Sequence, residues 1–162
     1  MIERTLILLK PDAVQRGLIG RIISRFEERG LKIIGMKMIM PNEELVKKHY
    51  EDVAQRRGEK VREMLVRYLR EAPVLAAVVE GINAVELVRN MVGPTEPWKA
   101  MPGTIRGDFA HVNFSYADEK GVPVKNLIHA SASKEEAENE ISLWFSEEEL
   151  HSYKRVDEDQ IL

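Results

Sequence analysis

Apolar runs and periods divide the chain into alternating strands and helices. Thr5-Leu6-Ile7-Leu8-Leu9 is an unbroken apolar run of strand length, as expected of a buried strand. After a turn at Pro11-Asp12, the residues Ile19, Ile22, Ile23 and Phe26 recur at i, i+3, i+4 and i+7. That spacing predicts a helix with one apolar face, closed by Gly30. A second strand is expected from about Leu31 to Met40, with Met36, Met38 and Met40 on one side.

Asn42 is a candidate N-cap for a helix whose inner face carries Val46, His49, Tyr50 and Val53. Gly58 interrupts it, and Val61, Met64, Leu65, Tyr68 and Leu69 resume the period up to Pro73, which predicts a helical hairpin. Val74 to Val79 reads as another buried strand. Asn83 and Glu86 have the spacing of a capping box ahead of a helix that buries Ala84, Leu87, Val88 and Met91.

From Gly93 to Asp108 the helical period is lost and Gly and Pro accumulate. A long irregular segment inside a compact domain is usually functional or disordered, and Trp98, Ile105 and Phe109 favour an ordered one. The stretch Asp118-Glu119-Lys120-Gly121 reads as an exposed hairpin tip. Asn126 to Ala130 is a short strand, and Ser133 with Glu136 forms a second capping-box pattern. It opens a helix with Ala137, Ile141, Trp144 and Phe145 inside. This alternation favours α/β layering and allows a parallel sheet, but it leaves the strand order open.

Composition narrows the function classes. At 162 residues the chain is read as a single domain, and it holds no cysteine, which excludes disulfides and thiolate metal sites. Such a chain fits a reducing cytoplasm. No secretory leader or membrane-spanning run is found near the N-terminus. A net charge of −3 disfavours a nucleic-acid binder, whereas a nucleotide enzyme needs only a few cations converging on one cleft.

Three places carry candidate chemistry. Lys10 ends the first apolar strand and can reach a phosphate, although alone it reads first as a solvated strand end. In Thr104-Ile105-Arg106-Gly107-Asp108, glycine permits close backbone approach and arginine offers a fork matched to phosphate oxygens; a turn with an exposed arginine is the plain alternative. His129 lies on an apolar strand four residues before a helix cap, where a lone histidine is more often structural. Ser131 and Ser133 bring hydroxyls near it, and the helix that follows brings back Glu136 and Glu140. A carboxylate on one imidazole nitrogen would fix the tautomer and leave the other nitrogen as nucleophile. No spacing among His49, His111, His129 and His151 suits a structural metal.

Beyond residue chemistry, several segments resemble the nucleoside diphosphate kinase family. They are Glu3-Arg4-Thr5 with Lys10-Pro11-Asp12-Ala13-Val14-Gln15-Arg16-Gly17, Pro102-Gly103-Thr104-Ile105-Arg106-Gly107-Asp108-Phe109, Asn126-Leu127-Ile128-His129-Ala130-Ser131, and Glu138-Asn139-Glu140-Ile141-Ser142-Leu143-Trp144-Phe145. The likeness runs in order from about residue 3 to about residue 153.

This resemblance implies an α+β fold, a ferredoxin-like αβ sandwich whose four-stranded antiparallel sheet is flanked by helices. It implies a ping-pong transfer of the γ-phosphoryl group from nucleoside triphosphates to diphosphates through a phosphohistidine on His129. By matching position, Glu140 holds the ring and Ser131 assists. Lys10, Tyr50, Arg89, Thr95 and Arg106 match the phosphate-binding set; Asn126 and Lys10 match groups that meet the sugar, and Val61 and Leu65 fall where the base lies. Magnesium is implied as cargo of the nucleotide, with no protein metal ligands, and relatives form hexamers or tetramers, the hexamer being expected here. A nucleotide-binding regulator of the same fold and weak activity is the alternative.

The sequence departs from the family at three points. Arg56-Arg57-Gly58-Glu59-Lys60-Val61 replaces an Arg-Pro-Phe-Phe segment, so Val61 stands where an aromatic ring is usual, and base stacking is weaker or supplied elsewhere. Residues 110–125 form a longer segment, read as an exposed loop or hairpin, and residues 154–162 read as a C-terminal tail. Ala132 stands where the family commonly has Asp.

Overall fold

In the computed structural model, which describes residues 1–162, the N-terminal apolar run becomes β1 (Ile2–Leu9), with every residue from Thr5 onward buried. The turn at Pro11 is a short helix, α1 (Pro11–Gln15), with proline in the first turn, where its missing N–H costs nothing. Then come α2 (Ile19–Glu28), β2 (Lys32–Ile39), α3 (Glu43–His49), α4 (Glu51–Arg57), α5 (Glu59–Leu69), β3 (Val74–Ile82) and α6 (Ala84–Val92). The second half holds α7 (Ile105–Phe109), α8 (Phe114–Lys120), β4 (Ile128–Ala130), α9 (Lys134–Trp144) and α10 (Glu158–Ile161).

The four strands form one sheet in the order β2-β3-β1-β4, and each neighbouring pair is antiparallel. The parallel arrangement that periodicity allowed is therefore absent. A buried strand has the same apolar run in either sense, because the run reports burial on both faces and not direction. Alternation then sorts the side chains. Ile7 and Leu9 of β1 join Ala77, Val79, Phe26 and Val88 on one face. Leu6 and Leu8 join Val78, Val46, Leu69 and Trp144 on the other.

Local capping explains several boundaries. Asn42 Oδ1 accepts from the Leu45 amide at 2.8 Å, as its spacing predicts. Ser133 Oγ likewise accepts from Glu136 N at 3.1 Å, but the Glu136 carboxylate returns to the amide of Ala132 and not to that of the cap residue. The capping box expected at Asn83 does not form. Asn83 adopts a left-handed backbone (φ 49°) with no side-chain cap, and the Glu3 carboxylate takes the Val85 amide instead, at 3.4 Å. A residue distant in sequence thus does the work assigned to a local one.

The expected hairpin tip within residues 110–125 is a helix. Asn113 Oδ1 caps it by accepting from Tyr116 N at 2.8 Å, and Gly121 ends it in a left-handed conformation (φ 63°). The C-terminal residues fold back on α2 and β2: Arg155 donates to the Leu31 carbonyl at 2.8 Å and pairs with Asp157 at 2.7 Å. No helix is long and apolar enough to cross a membrane.

Candidate active site

Ile128 and Ala130 of β4 face the α2–α6 side of the sheet, so the two-residue period turns His129 to the opposite face. There α9 and α3 supply its surroundings. Glu140, buried on α9, has Oε2 2.9 Å from His129 Nε2, and Ser131 Oγ donates to the same oxygen at 2.6 Å. This network assigns the imidazole proton to Nε2 and leaves the Nδ1 lone pair free.

Lys10, Arg89 and Arg106 crowd the same ring. Burial first, and then the charge of Lys10 and of both arginines, hold the His129 imidazole well below its ordinary pKa, so it is neutral around pH 7. Glu140 is pushed the other way, above the usual carboxylate range, chiefly by burial.

The cations are held in place by backbone and amide groups. Arg106 donates from Nε to Asn126 O at 3.1 Å, from Nη1 to Gly93 O at 2.9 Å and from Nη2 to Ile128 O at 2.5 Å. Three of its five N–H groups are thus used and two remain for a ligand. The glycine that follows is a packing requirement: a Cβ on Gly107 would strike the Met101 carbonyl. Lys10 Nζ donates to Asn126 Oδ1 at 2.7 Å, and Asn126 Nδ2 donates to Thr95 O at 2.8 Å. Burial and the neighbouring Arg106 push the Lys10 ammonium down to about 7. Arg89 reaches the Ala130 carbonyl at 3.3 Å.

Asp12 anchors this arrangement from behind. It accepts from Tyr68 Oη at 2.5 Å and from Leu127 N at 3.0 Å. The latter bond holds Leu127 at φ 72°, a left-handed conformation rare for a branched side chain. That bend lets the chain present Asn126 and His129 to one cleft.

The cleft occupies about 330 Å³. His129, Lys10, Arg89, Arg106, Thr95 and Asn126 line it, and so do Tyr50, Val61 and Leu65, so the structure gathers the whole candidate nucleotide set. Glu140 and Ser131 lie behind the histidine, at hydrogen-bond distance of one another.

Sequence reasoning passed over His49. It is buried, with Nδ1 accepting from Trp144 Nε1 at 3.3 Å and lying 3.5 Å from Glu140 Oε1; its ring meets His129 edge-on at 4.6 Å. Burial, with His129 adding to it, drives its pKa down to about 3. The available signal was its place on the inner face of α3, which reads equally as core. His49, His129 and Glu140 have the donor set of a metal site, with ligand atoms within 4.8 Å of one another. Glu140 Oε2 is nevertheless committed to Ser131 and His129, and three cationic side chains crowd the ring, which disfavours an added cation.

A family model described as "Nucleoside diphosphate kinase" matches residues 3–150. A nucleoside diphosphate kinase of Pyrococcus furiosus is 55% identical over 94% of this chain and 88% of its own length. One from Borreliella burgdorferi is 47% identical over 98% and 96%. Among solved structures, a transition-state mimic of the Borrelia burgdorferi enzyme with bound vanadate and ADP superposes with a TM-score of 0.95 at 46% identity, covering 98% of this chain and 96% of that one. A Halobacterium salinarum nucleoside diphosphate kinase in complex with CDP gives 0.85 at 38% identity, covering 100% and 99%.

Proposed function

Since this chain belongs to the nucleoside diphosphate kinase family and is an enzyme of phosphoryl transfer between nucleotides, we propose that His129 is its nucleophile and that the cleft residues above divide the remaining work. The observation that carries this is the 2.9 Å contact of Glu140 with Nε2 of a neutral histidine at the head of a cationic cleft.

In the first half-reaction the Nδ1 lone pair forms a bond to the γ-phosphorus as the bond to the β,γ-bridging oxygen breaks. The electron pair leaves with the nucleoside diphosphate. In the second, a terminal oxygen of another diphosphate attacks that phosphorus and the N–P bond breaks, restoring the neutral ring. Lys10, Arg89, Arg106 and the Thr95 and Tyr50 hydroxyls stabilise charge on the phosphoryl oxygens, which is the main task of a protein in such transfers. Lys10 and Asn126 take the sugar hydroxyl, and Glu140 with Ser131 keeps the ring aimed and spreads the positive charge that develops on it.

Magnesium enters as part of the nucleotide substrate. Asp12, just behind Lys10, spends both oxygens on Tyr68 and Leu127, and Glu140 Oε2 is taken by His129 and Ser131, so the ion's ligands are expected chiefly from phosphates and water. The working form is a homo-oligomer, with a hexamer as the expected state. In support, β2 is an edge strand, and Met36 and Met38 on it and Met40 just after it are exposed by 54%, 52% and 57%, an apolar edge that invites pairing with another copy. A cysteine-free chain fits the reducing cytoplasm.

Brief exposure to γ-labelled ATP and magnesium tests the assignment. Wild type should take up label that survives alkali and is lost in acid, and His129→Ala should take up none. Equal labelling of both proteins would refute it.

A further inference from the structure

The cleft has two chemical zones. Around His129 stand Lys10, Arg89 and Arg106; another part of the lining is largely apolar, with Val61, Met64 and Leu65 of α5 and Phe114, Val122 and Val124 of the segment before β4, beside the charged Arg56, Arg57 and Asp118. Apart from the histidine, only Tyr50 and Phe114 bring aromatic rings to the lining. Tyr50 is buried and packs edge-on against His49 at 4.8 Å, which commits it to the His129 end. Phe114 is half-buried at the first position of α8.

The backbone holds that phenylalanine firmly. Its amide donates to Glu96 Oε1 at 2.9 Å, and Glu96, itself buried, pairs with Lys99 at 2.6 Å. Asn113 caps the same helix start. From the end of α4, the Arg57 guanidinium stands 5.6 Å from the ring centroid, so ring and guanidinium meet at the apolar zone. The α5 side of this zone, at Val61, Met64 and Leu65, has no π-face at all.

We propose that Phe114 is the platform on which the nucleobase of a bound nucleotide stacks. This rests on the reading of the cleft as a nucleoside diphosphate kinase site. Stacking on a ring accepts every base, because each has a π-face, and that suits a zone whose lining is mostly apolar, with Arg56, Arg57 and Asp118 as its charged members. Residues 110–125 are then part of the binding site and not a spacer. The ring takes the stacking role, and Val61, which lines the same cleft, supplies only van der Waals contact.

Titration calorimetry on the full chain with ADP and with ribose 5-diphosphate separates the base from the rest of the ligand. Phe114→Ala should weaken ADP roughly tenfold, the order of the loss when a stacking ring is removed elsewhere, and leave ribose 5-diphosphate unchanged. Phe114→Trp should keep ADP affinity. Phe114→Leu, which keeps apolar bulk for α8 but no π-face, should also weaken ADP selectively. Unchanged ADP binding in the Ala and Leu variants overturns the proposal, and so does equal loss for both ligands. A wild-type chain that takes no label from ATP would instead sink the kinase reading of the cleft, a result separate from the ADP-to-ribose ratio.

Discussion

The Glu140 carboxylate and the His129 ring are linked through one oxygen, Oε2, which lies 2.9 Å from Nε2 and also accepts the Ser131 hydroxyl at 2.6 Å. The carboxylate therefore selects the tautomer and fixes the rotation of the ring about its χ2 axis. Glu140→Gln leaves an oxygen acceptor but removes the charge that answers the developing imidazolium. The phosphorylation step, followed by rapid quench, should slow by about tenfold, equivalent to ~1.4 kcal/mol. Ser131→Ala should cost less, and the double variant should cost less than the two effects combined, since both act through the same oxygen. A Glu140→Gln enzyme as fast as wild type would contradict this role.

Lys10 should take up a proton when nucleotide binds. Burial and Arg106 hold it near 7 in the free protein, so at pH 8 most of the population is neutral. An arriving phosphate favours the ammonium and raises the pKa. Calorimetry of ADP binding in buffers of different ionisation enthalpy should report net uptake approaching one proton at pH 8 and little at pH 6. Lys10→Met should abolish it, and uptake that does not change with pH would exclude the mechanism.

The pH dependence of stability carries the signature of the histidine pair. In the folded protein burial holds His49 and His129 below their ordinary pKa, while the unfolded chain protonates them near 6.5. Below that pH the unfolded state binds more protons, so stability is fully present above about 6.5 and falls as the pH falls. The urea midpoint should decline between pH 6.5 and 5, before most carboxylates titrate, and His129→Ala should flatten the slope. A midpoint that rises over that interval would contradict the burial argument.

Gly107→Ala should destabilise the fold, because its Cβ has no space beside the Met101 carbonyl, which is backbone and cannot rotate away. Overpacking of this kind costs about 1–3 kcal/mol, a drop of several degrees in Tm. Displacement of Arg106 beside it should raise KM for ADP as well. An unchanged Tm would show that the loop relaxes freely.

These expectations depend on features with unequal visibility in the sequence. Lys10, Arg106 and His129 were marked by their local setting only as candidates, each with a plain alternative; the resemblance to a family linked them, and the structure brings them to one cleft. The helices from Ile19, Asn42 and Lys134 were legible because apolar spacing and caps are local, although the one expected from Asn42 to Gly58 is broken at Tyr50 into α3 and α4. Strand direction was not: β1 pairs with β3 through partners such as Leu6 and Val78, and with β4 through Leu8 and His129, contacts that no local window contains. His49 was hidden because a buried histidine on the inner face of α3 looks like core until Glu140 and Trp144 are brought beside it. The helix at Phe114 was missed because the charged, glycine-ended Asp118–Gly121 stretch suits a hairpin tip as well as a helix C-terminus, although Asn113 is a local cap.

Isolation and mapping of the phosphorylated protein test the central claim most directly. After incubation with ATP and removal of nucleotide, 31P spectroscopy and peptide mapping should find about one phosphoryl group per chain on Nδ1 of His129. Addition of GDP alone should then release the phosphoryl group as GTP. Phosphate on another residue or on Nε2, or transfer that requires both nucleotides to be present together, would contradict the account.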